Sequence, residues 1–128
     1  MTNDAQTDGR REYDLAERTA VFGETLIEYL KPLPVNDITG PLIKQVVRSG
    51  TSIGANYSEA DESGTKKQFR HCISICRRES KETKYWLRML ATAVPDKKPE
   101  IRSLWKEADE LSRIFATIYR NSSNDKNP

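Results

Sequence analysis

A single histidine and two cysteines are all that this 128-residue chain offers for soft-metal or nucleophilic chemistry. Structural zinc needs four such ligands, whereas His71, Cys72 and Cys76 supply three, and on a helix His71 points ~100° away from Cys72. A di-iron bundle needs Glu-x-x-His sets, but the residue three before His71 is Gln68. Carboxylate pairs one turn apart do exist, Glu59 with Glu62 and Glu79 with Glu82, yet no serine or cysteine has a histidine partner by motif. The expectation is a non-enzymatic protein with no catalytic residue, metal or cofactor. Cys72 and Cys76, four apart on one helical face, suit buried thiols better than a disulfide framework.

Long apolar runs are also missing. No stretch approaches the ~20 residues of a membrane span, and the opening "MTNDAQTDGRREYD" lacks the apolar centre of a signal peptide. We therefore expect no membrane partner and a cytoplasmic location. Nor does any segment alternate apolar and polar residues as a half-buried strand would.

What the chain does have is four amphipathic seams. Leu15, Thr19, Phe22, Leu26 and Tyr29 recur at steps of four and three, predicting a first helix from about Asp14 to Leu30 that Pro32 and Pro34 stop. A second helix should begin between Asp37 and Pro41, carry Leu42, Val46, Ser49, Ile53, Asn56 and Ala60, and end before Ser63 and Gly64. Thr65, with Gln68 three residues on, reads as the cap of a third helix whose seam is Phe69, Ile73, Cys76, Ser80, Thr83, Leu87 and Leu90. Pro95 ends it. A fourth helix from about Pro99 presents Ile101, Leu104, Ala108, Leu111, Phe115 and Ile118. Four such helices with short connections predict an all-α, antiparallel up-down-up-down four-helix bundle over residues 12–120. The tails, residues 1–11 and 121–128, are polar and aperiodic and are expected to be disordered.

The middle of the second helix, "RSGTSIGANYSEA", is built from residues that weaken helices. A phosphate-cradling loop is excluded, because no strand precedes it and neither GxxxxGK[ST] nor GxGxxG is present. Gly50 and Gly54, one turn apart, instead suit close helix packing in a small-residue band with Ser49 and Asn56. Ser80 and Thr83 could face that band, and a buried Asn56 would need a hydrogen bond from Ser80, Thr83 or Glu79.

The same stretch, with "FRHCISICRRESKETKYWLRML" after it, resembles the four-helix bundle proteins encoded in intervening sequences of bacterial 23S ribosomal RNA genes. Arg48, Ser49, Ser52, Ile53, Ala55, Asn56, Glu59 and Ala60 match that family's R-S-x-x-S-I-x-A-N-x-x-E-A helix. Glu79, Glu82, Thr83, Tyr85, Trp86 and Leu87 match the K-E-x-x-E-T-x-Y-W-L helix of one branch, with Arg78 in place of its lysine. The resemblance, over about Leu15 to Tyr119, implies the bundle fold and a homopentamer, which would need two different patches per subunit meeting head to tail. Accessory proteins of diversity-generating retroelements look similar and act with a reverse transcriptase and nucleic acid, so RNA or a reverse-transcriptase-like protein is an implied partner.

Charge points the same way. The whole chain carries only +2, but Lys66 to Leu90 holds eight Lys or Arg against two Glu, a local +6 that leaves −4 for the rest. At ~100° per residue, Lys66, Arg70, Arg77, Lys81, Lys84 and Arg88 share a strip about 60° wide beside the apolar seam. Repeated around a ring, that stripe would attract phosphate backbones, with Lys44 and Arg48 as additions. The competing reading is a protein-interaction ring whose cations only complete salt links, for example to Glu17, Glu24 and Glu28 of the first helix. Tyr85, Trp86 and Trp105 are expected in core or subunit contacts rather than against bases.

Overall fold

The computed structural model describes residues 14–123; the expected N-terminal tail and residues 124–128 lie outside the described residues. Among the described residues the chain is all-helical, with α1 at Leu15–Leu30, α2 at Thr39–Asp61, α3 at Lys66–Ala93, a 3₁₀ turn at Pro95–Lys97 and α4 at Lys98–Ser123. Each α-helix packs on the one that follows it, and the connections are short. This is compatible with an antiparallel up-down-up-down order.

Local chemistry explains the boundaries. The side chain of Asn36 organises the entry to α2: its Oδ1 accepts from the backbone N–H groups of Ile38 and Thr39 at 2.8 and 2.9 Å, while Thr39 Oγ1 accepts from Asn36 N at 2.9 Å. Thr65 Oγ1 accepts from Gln68 N at 3.1 Å and starts α3. Val94 and Pro95 interrupt the helical path, since proline lacks the N–H that would continue the ladder. At the far end α4 runs to Ser123, three residues beyond the expected bundle boundary. There Ser122 Oγ accepts from Arg70 Nε at 3.2 Å and donates to Tyr119 O at 2.9 Å.

The four seams meet in one core. Leu15, Leu26, Ile53, Ile73, Leu87, Leu90, Ile101, Leu111 and Phe115 are almost completely buried, and Phe69, Tyr29 and Ile118 pack against them from the ends. Burial of each large apolar side chain contributes roughly 1.5–3 kcal/mol, offsetting much of the ordering cost of its helix. Across the α1/α4 side Arg18 donates from Nε to Glu107 Oε2 at 2.7 Å and pairs with Glu110 at 3.1 Å. Tyr29 Oη reaches Lys97 O at 3.4 Å.

The small-residue band of α2 straddles two interfaces. Ser49 is buried against α3, where its Oγ lies 2.9 Å from Thr83 Oγ1, within hydrogen-bond distance. The glycines face α1: a methyl on Gly50 would stand 2.1 Å from Leu26 Cδ1, and one on Gly54 would stand 3.2 Å from Thr19 Oγ1. Asn56 is half-buried, and its Nδ2 donates to Ser52 O at 2.9 Å within its own helix. Ser80 and Thr83 satisfy themselves on the carbonyls of Cys76 and Glu79, at 2.8 and 2.7 Å, so neither has to reach Asn56.

Candidate nucleic-acid interface

α3 positions six cations of the basic stripe, and their neighbours divide them. Lys84 Nζ donates to Asp109 Oδ1 of α4 at 2.8 Å and lies 5.1 Å from the centroid of the Trp105 ring. Asp109 also accepts from Arg113 at 3.0 Å, and these contacts, led by the hydrogen bond from Lys84, hold its carboxyl below the usual range. Arg70 is tied to the same helix differently, through Ser122 Oγ and by stacking over the Tyr119 ring at 4.0 Å. Its charge is held in place without a carboxylate. Arg77, Lys81 and Arg88 are exposed and make no ion pair among the described residues, and Lys66 is exposed at the start of α3.

Among the described residues the acid that the stripe meets is therefore Asp109 on α4, and not the expected carboxylates of the first helix. Glu28 pairs at 3.9 Å with Lys31 beyond the end of its own helix, and Glu17 and Glu24 are exposed. The reason is geometric: the strip lies on the side of α3 that α4 covers, whereas α2 covers the other side.

On that other side the two long motifs interlock. Arg48 of α2 reaches Glu79 Oε1 at 3.4 Å and also hydrogen-bonds to Glu82, which in turn accepts from Trp86 Nε1 at 3.1 Å. Glu79 is buried, with Arg78 as a further partner at 3.7 Å. Arg48 is thus engaged, while Lys44 is exposed. Tyr85 is 53% exposed, its ring edge-on to Trp86 at 5.0 Å. That leaves an aromatic surface beside a charged network.

Where α3 ends and α4 begins, a groove of about 580 Å³ opens between the helices. Leu87, Ala91, Ile101 and Trp105 line it, and Arg88, Lys98, Arg102 and Lys106 bring cations to it. Sequence reasoning included Arg88 but missed the other three. The available signal was the i, i+4, i+8 spacing of Lys98, Arg102 and Lys106, which places them along one side of α4. A separate recess between α1 and α4 is lined by Arg18, Val21, Phe22, Thr25, Leu104 and Glu107 and contains the ion pair already described.

Neither cysteine is placed for nucleophilic work. Both are buried and free, and burial, with Cys72 adjacent, pushes the Cys76 thiol up to about 12. Among the described residues no group of three or more His, Cys, Asp or Glu side chains could hold a metal ion, and no helix is long and apolar enough to cross a membrane.

Comparison with known proteins fits this architecture. A crystal structure of a protein of unknown function from the S23 ribosomal protein family of Bacteroides thetaiotaomicron VPI-5482 superposes with a TM-score of 0.61 at 26% identity, covering 86% of this chain and 95% of that one. No curated protein matches the sequence. Residues 11–117 match the model of the 23S rRNA-intervening sequence protein family. The chain belongs to that family.

Proposed function

We propose that this protein is a non-enzymatic, cytoplasmic homo-oligomeric scaffold that binds RNA, free or within a ribonucleoprotein, through the α4-facing edge of α3. The observation that carries the reading is the state of the stripe: Arg77, Lys81 and Arg88 are exposed without ion pairs among the described residues, and Arg70 is fixed by a ring and a hydroxyl instead of an acid. Cations in this arrangement keep their charge available to phosphates, and ordering Arg70 in advance lowers the entropy cost of contact. Lys84, paired with Asp109, serves the fold more than the ligand. By family resemblance the assembly is a homopentamer of antiparallel bundles, which would repeat the stripe five times and multiply its field.

The test is fluorescence anisotropy of a labelled structured RNA across a salt series, comparing the parent with an Arg77→Glu, Lys81→Glu variant of equal oligomer size by light scattering. Binding should weaken steeply with salt, each phosphate contact contributing about 0.7–0.9 to the logarithmic slope, and should be largely lost in the variant. Absence of binding at low salt by an intact oligomer would overturn the reading.

A second reading has its own observation. Exposed Tyr85, held against Trp86, favours a protein contact on the solvent face of α3, between the stripe and the Arg48–Glu82 pair. A subunit or a reverse-transcriptase-like partner would suit it. Tyr85→Ala that changes oligomer size or partner binding without affecting RNA affinity would separate this contact from the stripe.

A further inference from the structure

The groove at the α3–α4 turn has a chemistry that the exposed stripe lacks. Its floor is apolar and aromatic: half-buried Ala91 and Trp105 present surface to it above the buried Leu87 and Ile101, and the Trp105 ring is held in place beside the Lys84–Asp109 pair. Four cations, Arg88, Lys98, Arg102 and Lys106, line it, and among the described residues no carboxylate does. None of the four makes an ion pair among the described residues. Of the acids nearest in sequence, Glu107 and Glu110 pair with Arg18 of α1 and Asp109 pairs with Lys84, while Asp96 and Glu100 lie close enough to Tyr29 to add to burial in raising its pKa.

A site of this kind matches a ligand that is flat and apolar at one end and anionic at the other. From this juxtaposition we infer that the groove receives one unpaired nucleotide of the bound RNA, its base against Trp105 and its flanking phosphates on Arg88, Lys98, Arg102 and Lys106. The inference rests on the RNA-binding reading above and specifies which part of the RNA is held. A paired strand keeps its bases stacked inside the duplex and presents phosphates outward, which suits the open stripe of Arg77 and Lys81. Only an unpaired base can present a free ring face to the groove, and base–aromatic stacking is insensitive to sequence. Arg88 belongs to both surfaces, so a strand lying along α3 would run directly into the groove. The bound element is therefore a junction, duplex along α3 and a loop or single-stranded end at the α3–α4 turn.

The experiment uses a Trp86→Phe protein, in which Trp105 is the remaining tryptophan, titrated with a single-stranded RNA, a blunt duplex of the same length and a hairpin carrying a single-stranded tail. The single strand and the tailed hairpin should quench Trp105 fluorescence, and Trp105→Leu should weaken both by about tenfold while leaving the duplex unchanged, the size of loss that removing one base stack produces. Arg102→Gln with Lys106→Gln, both exposed positions, should weaken the single strand more than the duplex and flatten its salt dependence. This second pair decides the matter if Trp105→Leu fails to fold. RNA binding that is abolished by Arg77→Glu, Lys81→Glu yet causes no quenching and ignores the groove substitutions would overturn the groove assignment and leave the stripe standing. Failure of all three RNAs to bind would overturn both.

Discussion

Replacing Gly50 with alanine sets two sizeable effects against each other. Alanine is better than glycine in a helix interior by about 1 kcal/mol, so an open site would be stabilised. Here the new methyl would stand 2.1 Å from Cδ1 of Leu26, which is fully buried, with Phe22 Cε2 at 3.8 Å behind it. Either Leu26 leaves its rotamer or α1 and α2 separate, and overpacking of this kind costs about 1–3 kcal/mol. The net expectation for Gly50→Ala is a loss of roughly 1 kcal/mol, near the limit at which the two effects cancel. The decisive measurement is therefore a double-mutant cycle with Leu26→Ala, followed by urea unfolding at equal oligomer concentration. Leu26→Ala alone leaves a cavity and should cost about 2–5 kcal/mol. In that background the Gly50 methyl meets no obstacle, so Gly50→Ala should become stabilising by up to about 1 kcal/mol, giving a favourable coupling of about 2 kcal/mol. Equal stabilisation by Gly50→Ala in both backgrounds would refute close approach of α1 and α2 at Gly50. Gly54→Ala, whose methyl would be 3.2 Å from Thr19 Oγ1, should lie near neutral in the same assay.

Other predictions follow from the same contacts. Arg48→Ala removes one of the two cationic partners of the buried Glu79 and should cost about 1–3 kcal/mol in urea unfolding, whereas Glu59→Ala, exposed in the same motif, should stay within about 0.5 kcal/mol; equal effects would deny the α2–α3 network any weight. Cys76, with its thiol pushed up to about 12 from an ordinary 9.0, should resist maleimide at pH 8 in the folded protein and react only on unfolding. Because the unfolded thiol ionises first, its contribution to stability is complete below the ordinary 9.0 and is lost as pH rises towards 12; a Cys76→Ala variant showing the same alkaline decline would assign that decline elsewhere. Asp109 has the opposite sign. Its depressed carboxyl stabilises the fold above the ordinary carboxylate pKa and ceases to do so as pH falls through the lower folded value, so Asp109→Asn should flatten the acid limb of a melting-temperature profile, and an unchanged limb would contradict the Lys84 contact.

Periodicity made the seams legible. Leu15 to Leu26, Ile73 to Leu90 and Ile101 to Phe115 are buried where their spacing put them, and the Thr65 cap is formed. What periodicity could not supply is the identity of the neighbour on each side of a seam. A helical wheel fixes angles about one axis; it does not say which axis lies beyond. Ser49 and Gly50, ~100° apart on that wheel, looked like one band and serve two interfaces, α3 and α1 respectively. The entry to α2 was legible only to within a few residues, because the cap comes from Asn36 and its exchange with Thr39, a side-chain arrangement that an apolar period does not encode.

The same limit governs the charged surface, and there it bears on function. Six cations in a 60° strip on α3 are equivalent on the wheel, but the structure makes them unequal: Lys84 is neutralised by Asp109, Arg70 is held by Tyr119 and Ser122, and Arg77 and Lys81 face solvent. Arg88 acquires Lys98, Arg102 and Lys106 as neighbours only because the chain reverses at the Pro95–Lys97 turn. A stripe read from one helix predicts a uniform field, whereas the folded chain has an ordered arginine at one end, open cations in the middle and an aromatic groove at the other end. Uniform charge would bind any polyanion equally at a given salt concentration. The graded surface predicts discrimination by strandedness, with the tailed hairpin bound more tightly than either the duplex or the single strand alone. Equal affinity for all three at physiological salt would mean that the gradation has no functional consequence and that the stripe acts as a field alone.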